Sequence, residues 1–190
     1  MRLMRRKIDD FLKEWKENED RLPLIVKGAR QIGKTASIMQ FANDNYKNVV
    51  AINFVLQQKF KSIFDDGYDV DSIVRNITLI DPSIELEPGN TIFFFDEMQD
   101  CPVCATSLKA FKIDGRYDVV CSGSLMGINY QEIESNSVGY KEDYTMYSMD
   151  FEEFLWAKGY DSAFVERLFE KMVSVTPLSN LEMDVLGGLF

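Results

Sequence analysis

Gly28-Ala29-Arg30-Gln31-Ile32-Gly33-Lys34-Thr35 is a complete G-x-x-x-x-G-K-[ST] element. It follows the apolar run Leu22-Pro23-Leu24-Ile25-Val26 and opens a helical pattern from Thr35 to Asn43. That strand–loop–helix setting gives the motif its meaning. The glycines let the backbone curl so that successive N–H groups point inward at phosphate oxygens, and the following helix adds its N-terminal partial positive charge. The alternative is a glycine-rich turn that binds nothing. On the phosphate-loop reading, Gly28, Gln31, Ile32, Gly33, Lys34, Thr35 and Ala36 form the cradle. Lys34 then reaches the β- and γ-phosphates, and the Thr35 hydroxyl holds Mg²⁺.

Working outward, strand-like runs are expected at Leu22–Lys27, Asn48–Phe54, Thr91–Phe95 and Tyr117–Cys121, with a fifth at Tyr144–Met149. Helical patterns lie between them at Lys34–Asn43, around Val70–Ile77 and at Ala105–Phe111. Strands alternating with helices predict an α/β fold with a largely parallel sheet. Ile92-Phe93-Phe94-Phe95 and Val119-Val120-Cys121 do not alternate, the mark of strands buried on both faces. In open sheets of this kind, ligands sit outside the carboxyl ends of the strands. The polar residues there are Gly28, then Asp96 and Glu97, then Ser122 and Ser124.

Thr91–Phe95 ending in Asp96-Glu97 has the form of a Walker B strand followed by a catalytic glutamate. Asp96 is placed to hold Mg²⁺, and Glu97 to polarise the water attacking the γ-phosphate. Acids just after a strand also suit a helix N-terminus, so the pairing with the phosphate loop decides for function. A hydroxyl at Ser122, and less so at Ser124, is read as a sensor of the γ-phosphate or attacking water. Ser-Gly-Ser is also ordinary turn chemistry.

Composition narrows the alternatives. The chain has 190 residues, 46% hydrophobic and 27% charged, enough to bury a sizeable core. A net charge of −10 argues against a nucleic-acid surface covering the whole protein. The basic cluster Arg2, Arg5, Arg6, Lys7 is read as a solvated helix end. No histidine is present, which excludes Ser-His-Asp and Cys-His catalysis within this chain. Cys101-Pro102-Val103-Cys104 has zinc-like spacing, but three cysteines without histidine do not make the usual four-ligand site. The odd cysteine count and the charged, amphipathic start point to a reducing cytosol, with no membrane partner.

The segments Leu22–Thr35, Phe93–Pro102, Thr106–Lys109, Asp114–Gly127 and Met149–Gly159 carry a combined resemblance. Their phrases PLIVKGARQIGKT, FFFDEMQDCP, TSLK, DGRYDVVCSGSLMGI and MDFEEFLWAKG resemble the prokaryotic AAA-type P-loop ATPases with a C-terminal domain of unknown function. The resemblance implies a P-loop NTPase three-layer sandwich, a mostly parallel sheet flanked by helices, that takes ATP and Mg²⁺. Lys34, Thr35, Asp96 and Glu97 fall on its motif positions, and Cys101 falls within a family phrase.

The expected organisation is an N-terminal amphipathic helix over residues 1–20, an ATPase core over 21–158, and a helical extension over 159–190. The apolar ending Leu186-Gly187-Gly188-Leu189-Phe190 suggests a chain leading into the C-terminal domain, itself an expected partner. The expected activity is Mg²⁺-dependent ATP hydrolysis, with Glu97 as base and Lys34 and Ser122 at the reacting phosphate. GTP is disfavoured because no Asn-Lys-x-Asp signature occurs, and a small-molecule kinase because the second half is arginine-poor. No arginine lies between Tyr117 and Glu166, so no arginine finger follows the fourth strand. That absence favours the rival, a nucleotide-loaded switch that recruits an unknown protein partner with little turnover. Direct nucleic-acid binding is disfavoured by charge, and oligomerisation is left open.

Overall fold

The computed structural model describes residues 4–124 and 139–188. Residues 125–128 of the resembling phrase, Arg2, and the last two residues of the apolar ending lie outside the described residues. The elements run α1 (Lys7–Glu17), β1 (Leu24–Gly28), α2 (Lys34–Asn45), β2 (Asn48–Asn53), a 3-10 segment (Gln58–Phe64), α3 (Val70–Ile80), β3 (Thr91–Asp96) and a 3-10 turn (Met98–Asp100). They continue with α4 (Cys104–Asp114), β4 (Asp118–Ser124), β5 (Glu142–Thr145), α5 (Phe151–Ala157), α6 (Ser162–Val173) and α7 (Asn180–Gly187). Among the described residues the sheet has five strands in the order β2-β3-β4-β1-β5, every pairing parallel. No described helix is long and apolar enough to cross a membrane.

The period of two explains the apolar runs. Ile92 and Phe94 face the same side as Leu24, Val26 and Val120, where Ile8, Leu12 and Trp15 of α1 and Ile38 and Phe41 of α2 cover them. Phe93 and Phe95 face the other side with Ile25 and Val119, under Ile73 and Ile77 of α3 and Leu108 and Phe111 of α4. Two apolar faces, each roofed by helices, make three layers. Phe93 is the hinge of the second face, with ring centroids 5.3 Å from Phe111 and 5.4 Å from Tyr117.

The amino-terminal edge of the sheet is held by polar contacts. Arg21 donates through Nε and Nη2 to the two oxygens of Asp118 at 2.7 and 2.9 Å, and Tyr46 donates to Asp118 at 2.7 Å. This bidentate pair raises the Arg21 pKa above its ordinary value, and burial followed by the Asp118 charge raises that of Tyr46. Trp15 Nε1 donates to the Leu22 carbonyl at 2.8 Å, which ties α1 to the entry of β1.

Three expectations need correction. The fifth strand spans Glu142–Thr145 rather than Tyr144–Met149. Its register with Leu24–Lys27 starts on two acids that hydropathy passes over, and Asp143 is there to receive Lys27 at 2.9 Å. The compact units divide after Ser148, not at 158. Asp150 and Glu153 form a capping box that starts α5, and Leu155 of α5 packs with Val165 and Leu168 of α6, so α5 belongs to the helical unit. Arg6 is not part of a solvated helix end: it is 8% exposed and pairs with Glu153 at 3.1 Å, while Arg5, in the same unit, stays exposed and lies over the Trp156 ring.

Phe93 is fully buried between two aromatic neighbours, whereas Leu79 on α3 is 72% exposed. Urea unfolding should show Phe93→Ala less stable by about 3–5 kcal/mol, and Leu79→Ala within about 0.5 kcal/mol of the unmodified protein.

Candidate nucleotide site

The carboxyl ends of β1, β2, β3 and β4 lie at one edge, and the start of α2 meets them there. Gly28 closes β1 where no side chain fits. A Cβ at that position would lie 2.3 Å from the Met146 carbonyl oxygen and 2.7 Å from Ile32 Cδ1. Gln31 (φ 62°) and Gly33 (φ 99°) take left-handed conformations that turn the chain over onto α2. Gln31 is exposed, Ile32 packs against the α1–α2 side of the core, and Thr35 and Ala36 are exposed on the first helical turn. That turn has no side-chain cap and no acid, so the helix start offers its N–H groups outward.

Lys34 folds back across the loop. Its Nζ donates to the carbonyl oxygens of Gly28 at 3.0 Å and Ala29 at 2.6 Å. Burial lowers its pKa, and the charges of Glu97 and Asp96 oppose that shift. The amine is thus held at the loop mouth by weak acceptors that an anion could replace.

Asp96 is the point of convergence. Its carboxylate accepts from the Thr35 hydroxyl at 3.2 and 3.3 Å, from Asn53 Nδ2 at 2.9 Å, and from the Ser122 hydroxyl. The Glu97 N–H also reaches it at 3.2 Å. Three elements and the neighbouring Glu97 N–H therefore supply donors to one group that is 6% exposed. A hydroxyl beside a carboxylate at the foot of a phosphate loop is an oxygen-donor set suited to a hard divalent cation. Glu97 leaves β3 in the left-handed region (φ 57°, ψ 46°), and its carboxylate accepts from Gln99 Nε2.

The structure thus brings Lys34, Thr35, Asp96, Glu97 and Ser122 to the same edge. Ser122 does not end its strand, since β4 continues through Ser124, and its hydroxyl turns to Asp96. Arg116 lies just before β4, at the opposite edge, bonded to Asp114 and Asp71. Cys101, Cys104 and Cys121 are buried, and burial raises the Cys101 thiol to about 11. Sequence reasoning passed over Asn53 and Gln99. Asn53 ends β2, and the strand-end rule that singled out the other three strands would have found it. Gln99 carried no such signal.

At Gly28 the tight approach of the Met146 carbonyl leads to a direct expectation. Gly28→Ala should lower the melting temperature by several degrees, about 4 °C or more for a cost above 1 kcal/mol, because backbone rather than a flexible side chain must yield. A calorimetric melt compared with Gly89→Ala, where the added Cβ meets nothing within 4 Å, isolates the contact from the cost of a positive φ at glycine.

Residues 20–155 match the family model described as AAA domain. A Haemophilus influenzae protein described as uncharacterized is 24% identical over 154 residues, which cover 79% of this chain and 36% of that protein. The chain thus spans about a third of the length of that relative. Among solved structures, AMPPCP-bound DnaA from Aquifex aeolicus is 14% identical, with 93% of this chain and 53% of that one covered and a TM-score of 0.45. PCH-2 of C. elegans is 13% identical, with 75% and 42% covered and a TM-score of 0.45. The Drosophila ORC bound to GC-rich DNA and Cdc6 is 11% identical, with 85% and 62% covered and a TM-score of 0.44. With the family model spanning the phosphate loop, the sheet and the acidic strand end, the chain belongs to the AAA domain family and is an AAA-type P-loop ATPase domain.

Proposed function

We propose that this domain binds ATP together with Mg²⁺ and hydrolyses its γ-phosphate. The observation that carries this reading is the convergence of Thr35, Asn53 and Ser122 on the Asp96 carboxylate beside an uncapped helix start. The backbone N–H groups from Gln31 to Ala36 hold the phosphates. Lys34 leaves the Gly28 and Ala29 carbonyls for the β- and γ-phosphate oxygens, where its charge counts for more than against neutral acceptors. Thr35 and Asp96 are the residues that would hold Mg²⁺. When bound, the ion neutralises charge on the phosphate oxygens. Glu97 accepts a proton from water as that water attacks the γ-phosphorus, and the bond to the bridging oxygen breaks to leave ADP. Ser122, one strand over, positions Asp96 through its hydroxyl, and through that contact it acts as the sensor of the γ-phosphate.

A second reading, a nucleotide-loaded switch with little turnover, is favoured by one feature. Lys34 already has partners on the loop carbonyls, from which a bound phosphate must draw it.

Calorimetry with Mg²⁺-ATP should give micromolar affinity, about −8 kcal/mol, and Lys34→Ala should weaken it about 10–100-fold. Glu97→Gln should keep that affinity and lower steady-state phosphate release about 100-fold or more. Phosphate release that is absent from the unmodified domain while ATP still binds would sink hydrolysis and leave the switch.

A further inference from the structure

We infer that Gln99 is a positioning residue that sets the direction of the Glu97 carboxylate and ties it to the backbone at the end of β4. This rests on the reading of Glu97 as the base. Gln99 sits in the 3-10 turn after β3, and its amide makes three bonds. Nε2 donates to Glu97 Oε2 and to Asp100 Oδ2, the latter at 3.2 Å, while Oε1 accepts from the Ser124 N–H at 3.2 Å. The orientation is unambiguous, because carboxylates only accept and a backbone N–H only donates. The amide oxygen lies against the end of β4. A Cβ at Gly123 would come within 3.4 Å of Gln99 Oε1 and 3.5 Å of Met98 Cγ.

Glu97 needs such a partner. Its left-handed backbone takes its side chain out of the alternation of β3, so the strand no longer fixes where the carboxylate points. A base must lie within hydrogen-bond reach of the water it deprotonates, and a misplacement of about 1 Å costs on the order of 100-fold in rate. Gln99 engages one carboxylate oxygen, and among the described residues no hydrogen bond engages the other, Oε1. That oxygen is the one left to meet water. Because the far end of the same amide rests on Ser124, a shift of the end of β4 turns the amide and re-aims Glu97. Ser122, on the same strand end, contacts Asp96, so β4 reaches both acids of the site, one through each residue.

The test combines kinetics with amide exchange on the whole chain. Gln99→Ala should lower kcat about 10–100-fold while KM and the calorimetric ATP affinity stay unchanged. Gln99→Glu keeps the shape, removes both donors and adds a charge between two carboxylates, so it should not rescue. In a Glu97→Gln background Gln99→Ala should cost nothing more, since two residues acting as one unit do not add. By NMR, the Ser124 amide in Gln99→Ala should exchange about tenfold faster, having lost the Gln99 Oε1 acceptor. Unchanged kcat, an equal loss in the Glu97→Gln background, or unchanged Ser124 exchange would each overturn the positioning role. Glu97→Gln as active as the unmodified protein overturns the reading of Glu97 instead, and the Ser124 exchange still reports on the Gln99 link by itself. Melting curves of both Gln99 variants separate misfolding from misplacement.

Discussion

A carboxylate taken out of water must be surrounded by donors, and much of this molecule is arranged to surround Asp96. Thr35 comes from α2, Asn53 from β2 and Ser122 from β4, while Asp96 itself ends β3. Satisfying that one group sets the height at which β2 presents Asn53 and β4 presents Ser122. It also sets how far α2 can stand from the sheet. The phosphate loop is then tied at both ends, with Gly28 packed on the Met146 carbonyl and Thr35 bonded to Asp96. What the loop retains is the direction of its N–H groups and the reach of Lys34.

The opposite edge works by the same physics with different parts. Asp118 opens β4 and takes a forked pair of bonds from Arg21 and a third from Tyr46. Strand β4 is therefore anchored by a carboxylate at its start and lends a hydroxyl to a carboxylate at its end. Between the two lie only apolar contacts, Val119 and Cys121 on one face and Val120 on the other. A central strand tied at its start and near its end by bonds to carboxylates is a stiff support for a site.

Much of this was legible in the residues. The loop motif, the apolar strand before the paired acids and the alternation of strands with helices each have a local physical cause, and the observed elements sit where those causes put them. Local pattern misleads where tertiary partners outweigh it. Glu142 and Asp143 begin a strand because β1 offers a pairing edge and Lys27 seeks a carboxylate, and neither reason shows in hydropathy. Likewise α5 looks like the tail of the core until its capping box and the burial of Leu155 assign it elsewhere. Arg6 looks like a solvated charge because the acid that buries it, Glu153, lies at the far end of the sequence. Gln99 was invisible because a glutamine in a turn has no meaning until its three partners are in place.

The strand order also sets a timetable. β1 is flanked by β4 and β5, both made long after it, while β2, its successor in the chain, lies at the far edge. As the polypeptide leaves the ribosome, Leu24-Ile25-Val26 therefore waits as an unpaired apolar edge until residues 118–124 emerge. The phosphate loop is synthesised before β2, β3 and β4, the strands whose ends wall it. An incomplete chain accordingly carries the motif without the pocket, and nucleotide capture becomes a sign that the sheet has closed.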